Sequence, residues 1–393
     1  STTGAGPLYR DYGEEKMLNA RALAATALLP LAANAQNQIN MSTGISEAGA
    51  VITDLGAEIY GLHMLIFWIC VAIGIGVFGV MLYSIYAHRK SKGVEASQFH
   101  ENTRVEIAWT VLPFIILVGM AVPATSTLLE VYDNDDAEMS ILVTGYQWKW
   151  KYEYLDAEGE NVAFFSNLAT SQEQIYNTDT KGENYLLEVD EPLVIPVDTK
   201  VRFLITANDV IHSWWVPEIA VKRDAIPGFI NEAWTRVLAE GVYRGQCTEL
   251  CGSYHGFMPV EVHVVSQDEF DGWMAAKKGA AAADAALAAT ELSVDELMAR
   301  GENVYNASCL ACHGANGEGG LGNAIAGSAI AMGGLDSHLN VIVNGVAGTA
   351  MQAFGAQLSD VDVAAVTTYQ RNAFGNNTGD VVQASDVVSY KEG

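Results

Sequence analysis

A chain of 393 residues is longer than one hydrophobic core ordinarily organises, so two or three domains are expected. Half of the residues are hydrophobic and 17% are charged, a balance that fits a chain partly dissolved in lipid. The net charge of −26, from 21 basic against 47 acidic residues, excludes a nucleic-acid-binding surface and suits a cationic partner.

The first 35 residues read as a processed leader: Arg21 precedes the apolar stretch Ala22 to Ala32, and Ala33-Asn34-Ala35 has the small-x-small form of a cleavage site. Cleavage there leaves Gln36 first, while residues 1–16, upstream of Met17, leave a retained segment as the alternative. Residues 36–132 read as a transmembrane hairpin. One span runs over about 61–87, with His63 its only ionisable interruption. A second runs over about 107–129 and contains Pro113 and Pro123, which kink a membrane helix without forbidding it. The connecting loop carries His88, Arg89, Lys90, Lys92 and Arg104, whereas residues 36–60 carry no Lys or Arg. The loop is therefore cytoplasmic and both ends are outside. Cys70, inside the first span, reads as a small buried hydrophobe.

Residues 133–274 read as an outer all-β domain, with β-branched runs at Ser140–Thr144, Tyr185–Val189, Val201–Thr206 and Val260–Val264. Within it, Cys247, Cys251, His255 and Met258 crowd one short loop and His212 lies upstream, ahead of Ser213-Trp214-Trp215. Thiolates, imidazoles and a thioether together are the soft and borderline donors that copper prefers, and zinc rarely recruits the Met. Two sulfurs able to bridge suggest two metals.

Residues 275–292 form an Ala-rich, low-complexity linker with helical tendency. Residues 293–393 form a further domain. Ser293-Val294-Asp295-Glu296 is a capping box whose helix runs toward Asn306. Cys309-Leu310-Ala311-Cys312-His313 is the attachment pattern for c-type haem, in which two thiols form thioethers and the imidazole becomes the proximal iron ligand. A Gly-rich loop from Gly314 to Gly322 follows, and a last helix opens at Ser359 and ends near Ala373. Met351 is the candidate sixth iron ligand and Met332 the runner-up; His338 reads as a surface helix position.

The stretch from Asp209 to Pro259 resembles the dicopper domain of cytochrome c oxidase subunit II. The resemblance implies that His212, Cys247, Cys251, His255 and Met258 bind copper by side chain, and Glu249 through its backbone carbonyl. It also implies that the Glu249 carboxylate faces a magnesium ion at the boundary with subunit I, near which Asp224-Ala225-Ile226-Pro227-Gly228 resembles the family's turn. Gly145 to Tyr154 is similar to the family's aromatic stretch, in which Trp148 matches the residue where electrons arrive from cytochrome c. Asn102 to Thr110 likewise places Glu106 at the cytoplasmic mouth of a proton channel, although an acid there also serves as an ordinary helix-end partner. The C-terminal layout resembles small monohaem cytochromes c, which often have Pro directly after the axial Met, where this chain has Gln352.

The fold class expected is thus a two-helix transmembrane hairpin, an all-β cupredoxin-like dicopper domain and an all-α class I cytochrome c domain in series. The function expected is that of the electron-transfer subunit II of a proton-translocating terminal oxidase in a bacterial inner membrane, with both redox domains on the periplasmic side. Its cofactors would be two copper ions, a covalent haem c and magnesium. Its partners would be subunit I and further oxidase subunits, membrane lipid, and either soluble cytochrome c or a membrane-bound quinol-oxidising donor complex. A membrane-anchored electron carrier with no oxidase partner is the alternative, against which Glu106, Glu249 and the second span argue. A copper-delivery protein has no use for Met258 or a fused haem, and a quinol oxidase subunit would lack the copper ligands.

Overall fold

The computed structural model describes residues 51–93, 95, 98, 100–155 and 161–392. The leader and cleavage site expected in residues 1–35 lie outside the described residues. Two long helices come first, α1 (Asp54–Ala87) and α2 (Thr103–Val131), both long and apolar enough to cross a membrane. Each begins earlier than hydropathy alone indicates because polar caps extend it. Thr53 Oγ1 accepts from the Gly56 N–H, and Asn102 Oδ1 accepts from the Val105 N–H while the Asn102 N–H donates to the Glu106 carboxylate. Pro113 and Pro123 are accommodated inside α2. Cys70 is exposed on α1 rather than buried, because a two-helix hairpin leaves most of each helix surface facing outward.

The outer domain is a sandwich of two five-stranded sheets, ordered β3-β2-β1-β5-β8 and β4-β10-β9-β6-β7. The strands of the first are β1 (Met139–Tyr146), β2 (Lys149–Leu155), β3 (Val162–Ser166), β5 (Lys200–Ala207) and β8 (Asn231–Arg236). Those of the second are β4 (Leu193–Pro196), β6 (His212–Val216), β7 (Val221–Ala225), β9 (Gly241–Cys247) and β10 (Pro259–Val265). Each sheet joins antiparallel hairpins to one parallel pair, β1 with β5 and β10 with β4. Alternating residues such as Ile141, Val143, Val201, Phe203 and Ile205 are fully buried between the layers. The run Tyr185–Val189 is not a strand. Leu186 sits in the left-handed region at φ 63°, its N–H bonded to Thr170 Oγ1 and the Leu187 N–H to Asn184 O, so the β-branched run is spent in a turn.

The sandwich is tied to the outer ends of both long helices. Thr53 bridges Val237, Arg236 pairs with Asp54, and Trp234 donates to the Glu130 carbonyl at 3.0 Å.

The Ala-rich segment is a helix through Leu287 rather than an open linker. It belongs to α4 (Gln267–Leu287), which follows the single-turn α3 (Gln172–Ile175) in chain order. A capping box from Ser266 and Glu269 starts α4, and the good helix propensity of Ala propagates it. Its first half packs Phe270 and Trp273 against Tyr154 and Phe164 of the sandwich, with Lys277 paired to Glu191 at 2.5 Å. Its last turn carries Asp284, which holds Arg300 of the C-terminal domain.

That domain contains α5 (Val294–Ser308), the short α6 (Leu310–His313), α7 (Leu335–Asn344), α8 (Asp360–Asn372) and α9 (Ala384–Glu392). The helices α5 and α8 cross in close contact at Gly301, where an added Cβ would lie 2.2 Å from the Ala365 carbonyl oxygen. Tyr305, fully buried beside this crossing, packs on Tyr369 and Phe374 and donates to the Gly314 carbonyl at 2.6 Å.

Candidate redox sites

Strand β6 delivers His212 to the end of the sandwich where β9 delivers Cys247, since Trp214 pairs with Cys247 in register. The loop after β9 then returns Cys251 and His255 before β10 begins at Pro259. Cys247 Sγ and Cys251 Sγ stand 3.8 Å apart and form no disulfide. His212 Nδ1 lies 3.9 Å from Cys247 Sγ, and His255 Nδ1 lies 3.5 Å from Cys251 Sγ. The Glu249 carbonyl oxygen is 3.4 Å from Cys247 Sγ, while the Glu249 carboxylate end of the residue is exposed. Met258 is 1% exposed, and its carbonyl accepts from the Cys247 N–H at 3.0 Å, which seats the thioether residue beneath the cysteine loop.

Three of these groups, His212, Cys247 and Cys251, are buried with ligand atoms all within 4.8 Å of one another. Each cysteine has an imidazole within 4 Å, a set of soft and borderline donors that fits copper. The Cys251 hydrogen bond pulls the Cys247 thiol down to about 4, with His212 assisting, while the bond to Cys247 and burial push Cys251 well above the usual thiol range. The cluster therefore readily presents a thiolate.

Asp209, a residue to which the sequence assigns no role, orients His212. Its Oδ1 accepts from His212 Nε2 at 2.8 Å, which leaves Nδ1 facing the sulfurs. Burial opposes charging of this imidazole, yet the bonds to Asp209 and Cys247 outweigh it and raise His212 above its ordinary value. Only glycine fits at 145, since a Cβ there would come within 2.7 Å of His212 Cδ2. Trp148, half-buried over the loop, donates from Nε1 to the Cys251 carbonyl at 3.1 Å and packs its ring 5.1 Å from Tyr254.

In the C-terminal domain, α6 sets Cys309, Cys312 and His313 on one turn. His313 Nδ1 donates to the Asn323 carbonyl at 2.7 Å, fixing the ring and leaving Nε2 available. Gly322 allows that loop to lie against the imidazole, for a Cβ there would be 2.9 Å from His313 Cε1. Burial pushes the Cys309 thiol up to about 12 and raises Cys312 as well, so neither is a free thiolate. Thiols, an oriented imidazole and a half-buried Met351 packed beside Leu339, Ile342 and Val343 suit a covalently held haem. Met332, in contrast, is 44% exposed.

His338 is not at the surface. It is 3% exposed on α7, bonded from Nε2 to Gln370 Oε1 at 2.9 Å, and burial pulls it down to about 4. Surface character was expected from polarity alone, whereas the inner face of α7 carries it in with Leu339, Ile342 and Val343.

Replacing Met351 by Leu is expected to leave the haem covalently attached while its potential falls by on the order of 0.1 V or more, a fraction of the ~0.8 V range that axial ligation spans. Redox titration of the purified protein checks this. Persistence of the weak sulfur-to-iron band in the far red would move the sixth ligand to Met332.

Comparison with known proteins matches residues 139–265 to the family described as cytochrome c oxidase subunit II, periplasmic domain. Residues 45–126 match the transmembrane domain of the same subunit, and residues 296–369 match the family described as cytochrome c oxidase, cbb3-type, subunit III. A probable cytochrome c oxidase subunit 2 of Rickettsia bellii is 42% identical over 225 residues, 57% of this chain and 81% of that protein. The cytochrome c oxidase subunit 2 of Cereibacter sphaeroides is 33% identical over 274 residues, 65% of this chain and 89% of that protein. The crystal structure of the periplasmic domain of subunit II of cytochrome oxidase of Bradyrhizobium japonicum is 39% identical, with a TM-score of 0.33 over 37% of this chain and 96% of that one. Two apolar helices, the sandwich with its sulfur and imidazole cluster, and the helical domain with Cys309-x-x-Cys312-His313 thus go together: the chain belongs to the cytochrome c oxidase subunit II family and carries a C-terminal cytochrome c domain.

Proposed function

We propose that this chain receives electrons from a reduced cytochrome or a membrane-bound quinol-oxidising donor and hands them on to subunit I of a proton-translocating oxidase. A haem c held by Cys309, Cys312, His313 and Met351 and a dicopper centre held by His212, Cys247, Glu249, Cys251, His255 and Met258 would supply the one-electron chemistry. The observation that carries this reading is the buried pair of sulfurs with an imidazole close to each, in a chain that also has the haem-attachment turn.

The protein's part is placement and shielding. Asp209 fixes the tautomer of His212, the Asn323 carbonyl fixes that of His313, and burial of Met258 keeps water from the cluster. Trp148, bonded to the Cys251 carbonyl, touches the cluster from outside and is the residue through which electrons would arrive. The exposed Glu249 residue suits a magnesium ion shared with subunit I. Beside it, exposed Leu250, and Phe229 and Ile230 after the Asp224–Gly228 turn, offer apolar surface of the kind a partner subunit covers. The basic loop between the spans supports a reading in which the redox domains stand on the opposite, periplasmic side of a bacterial inner membrane.

Glu106 Oε1 accepts from the Asn102 N–H, and the amide oxygen of Gln can accept the same bond, so Glu106→Gln removes the carboxylate's charge and acid–base function while keeping its size and acceptor. In the purified oxidase this substitution is expected to slow oxygen turnover on the order of tenfold or more with copper and haem content unchanged, as loss of a proton-transfer group does. Unchanged turnover would return Glu106 to the role of a helix-end acid and remove it from the proton route. The alternative, an electron carrier without an oxidase partner, predicts no such dependence.

A further inference from the structure

The residue directly after Met351 belongs to the copper domain's surroundings as much as to its own. Gln352 Nε2 donates to Asp209 Oδ2 at 2.9 Å and to the Gln147 carbonyl at 3.2 Å, while its Oε1 accepts from Gln357 Nε2 at 3.3 Å. The bond from Gln357 thus orients the amide, with its nitrogen toward the sandwich. Asp209 is the carboxylate that holds His212, and its Oδ2 also accepts from the Gln147 N–H at 2.7 Å. Gln147 in turn donates from Nε2 to the Cys251 carbonyl at 2.8 Å. Two short routes therefore leave one side chain: Gln352 to Asp209 to His212, and Gln352 to Gln147 to Cys251.

A second contact lies beside the first. Lys149, 6% exposed, has its ammonium 4.5 Å from the ring centroid of Phe165 and 5.2 Å from that of Phe354, two residues beyond Gln352. The Lys149 ammonium thus lies between an aromatic of each domain, which marks close contact across the boundary. Burial lowers Lys149 to about 8, in line with its enclosure.

We propose that Gln352 is the positioning residue that docks the Met351 loop of the cytochrome domain onto Asp209 and Gln147, the residues that hold His212 and the Cys251 carbonyl. The amide is required because it must donate twice across the boundary. Its kinetic consequence rests on the electron-transfer reading above; the docking itself does not.

The test uses the full chain in the purified oxidase, with Gln352→Ala and Gln352→Glu. Glu places a second carboxylate against Asp209 and removes the donor, whereas Ala only removes the donor. Hydrogen exchange is read at the backbone amides of Gln147 and Asp209, together with the haem-to-copper electron-transfer rate and the absorbance of both centres. Loss of the two interdomain bonds is expected to lower protection at Gln147 about tenfold in Gln352→Ala and further in Gln352→Glu. The electron-transfer rate should fall in parallel, with both absorbance spectra and the protection of β5 unchanged. Wild-type protection at Gln147 in both variants would overturn the proposal. So would lowered protection spread equally over β5, which would mark loss of the sandwich fold. Lowered protection at Gln147 with no change in rate would sustain the docking and tell instead against electron passage between the two domains.

Discussion

Replacing Cys247 and Cys251 together by Ser is expected to abolish copper binding, from about two ions per chain to none, while the haem remains attached. The sulfurs stand 3.8 Å apart with an imidazole within 4 Å of each, and these four side chains would hold the copper. A serine hydroxyl is a harder donor and keeps its proton at neutral pH, so it neither bridges two soft ions nor compensates their charge. The remaining donors, His212, His255, Met258 and the Glu249 carbonyl, are then left as separate fragments of a site. The haem-binding turn lies in a different domain with its own core around Tyr305, so its occupancy should not follow that of copper. Metal analysis and the haem absorbance of the same preparation check both halves. About two coppers still bound to the double variant would defeat the dicopper assignment.

Truncation after Ala289 carries the second large effect. The intact chain holds the cytochrome domain beside the copper domain through α4, anchored at one end by Phe270 and Trp273 and at the other by the Asp284–Arg300–Asp362 pairs. The effective concentration of one domain at the other is then at least millimolar, the value for a short tether. A micromolar soluble cytochrome supplied in its place should reduce the truncated protein on the order of 10²–10³-fold more slowly, and in proportion to its concentration. That bimolecular reaction should also weaken with salt, because the truncated chain remains strongly acidic and steers a basic donor over a distance that counter-ions screen. A truncated protein whose copper is reduced as fast as in the intact chain would show that the fused domain is not the source of its electrons.

Much of this architecture is legible in the sequence because its signals are local. Apolar length marks the two spans, Cys247, Cys251, His255 and Met258 fall in one short loop and Cys309, Cys312 and His313 in another, and the capping box at Ser293 and the N-cap at Ser359 open the helices expected there. Where local pattern misleads, a longer-range contact decides. Tyr185–Val189 has strand composition but turns, because Thr170 captures the Leu186 N–H from outside the run. The Ala-rich segment reads as a linker, although Ser266 and Glu269 upstream supply the same capping signal as Ser293 and Glu296; the contacts of Trp273 and Asp284 then make the helix a brace. His338 looks like a surface polar residue until α7 folds its inner face onto Gln370. The roles of Asp209, Lys149 and Gln352 depend on contacts between segments far apart in the chain, and no spacing rule announces them.

The central claim is the direction and order of electron flow, from the haem turn at Cys309–His313 to the sulfurs of Cys247 and Cys251. Rapid mixing of the oxidised oxidase with a reductant, followed at the haem and copper absorbances over a range of protein concentrations and salt, tests it most directly. The haem should be reduced first, and the copper should follow at a rate that does not change with protein concentration and changes little with salt. Copper reduced before the haem, or a haem-to-copper phase that scales with protein concentration, would contradict it.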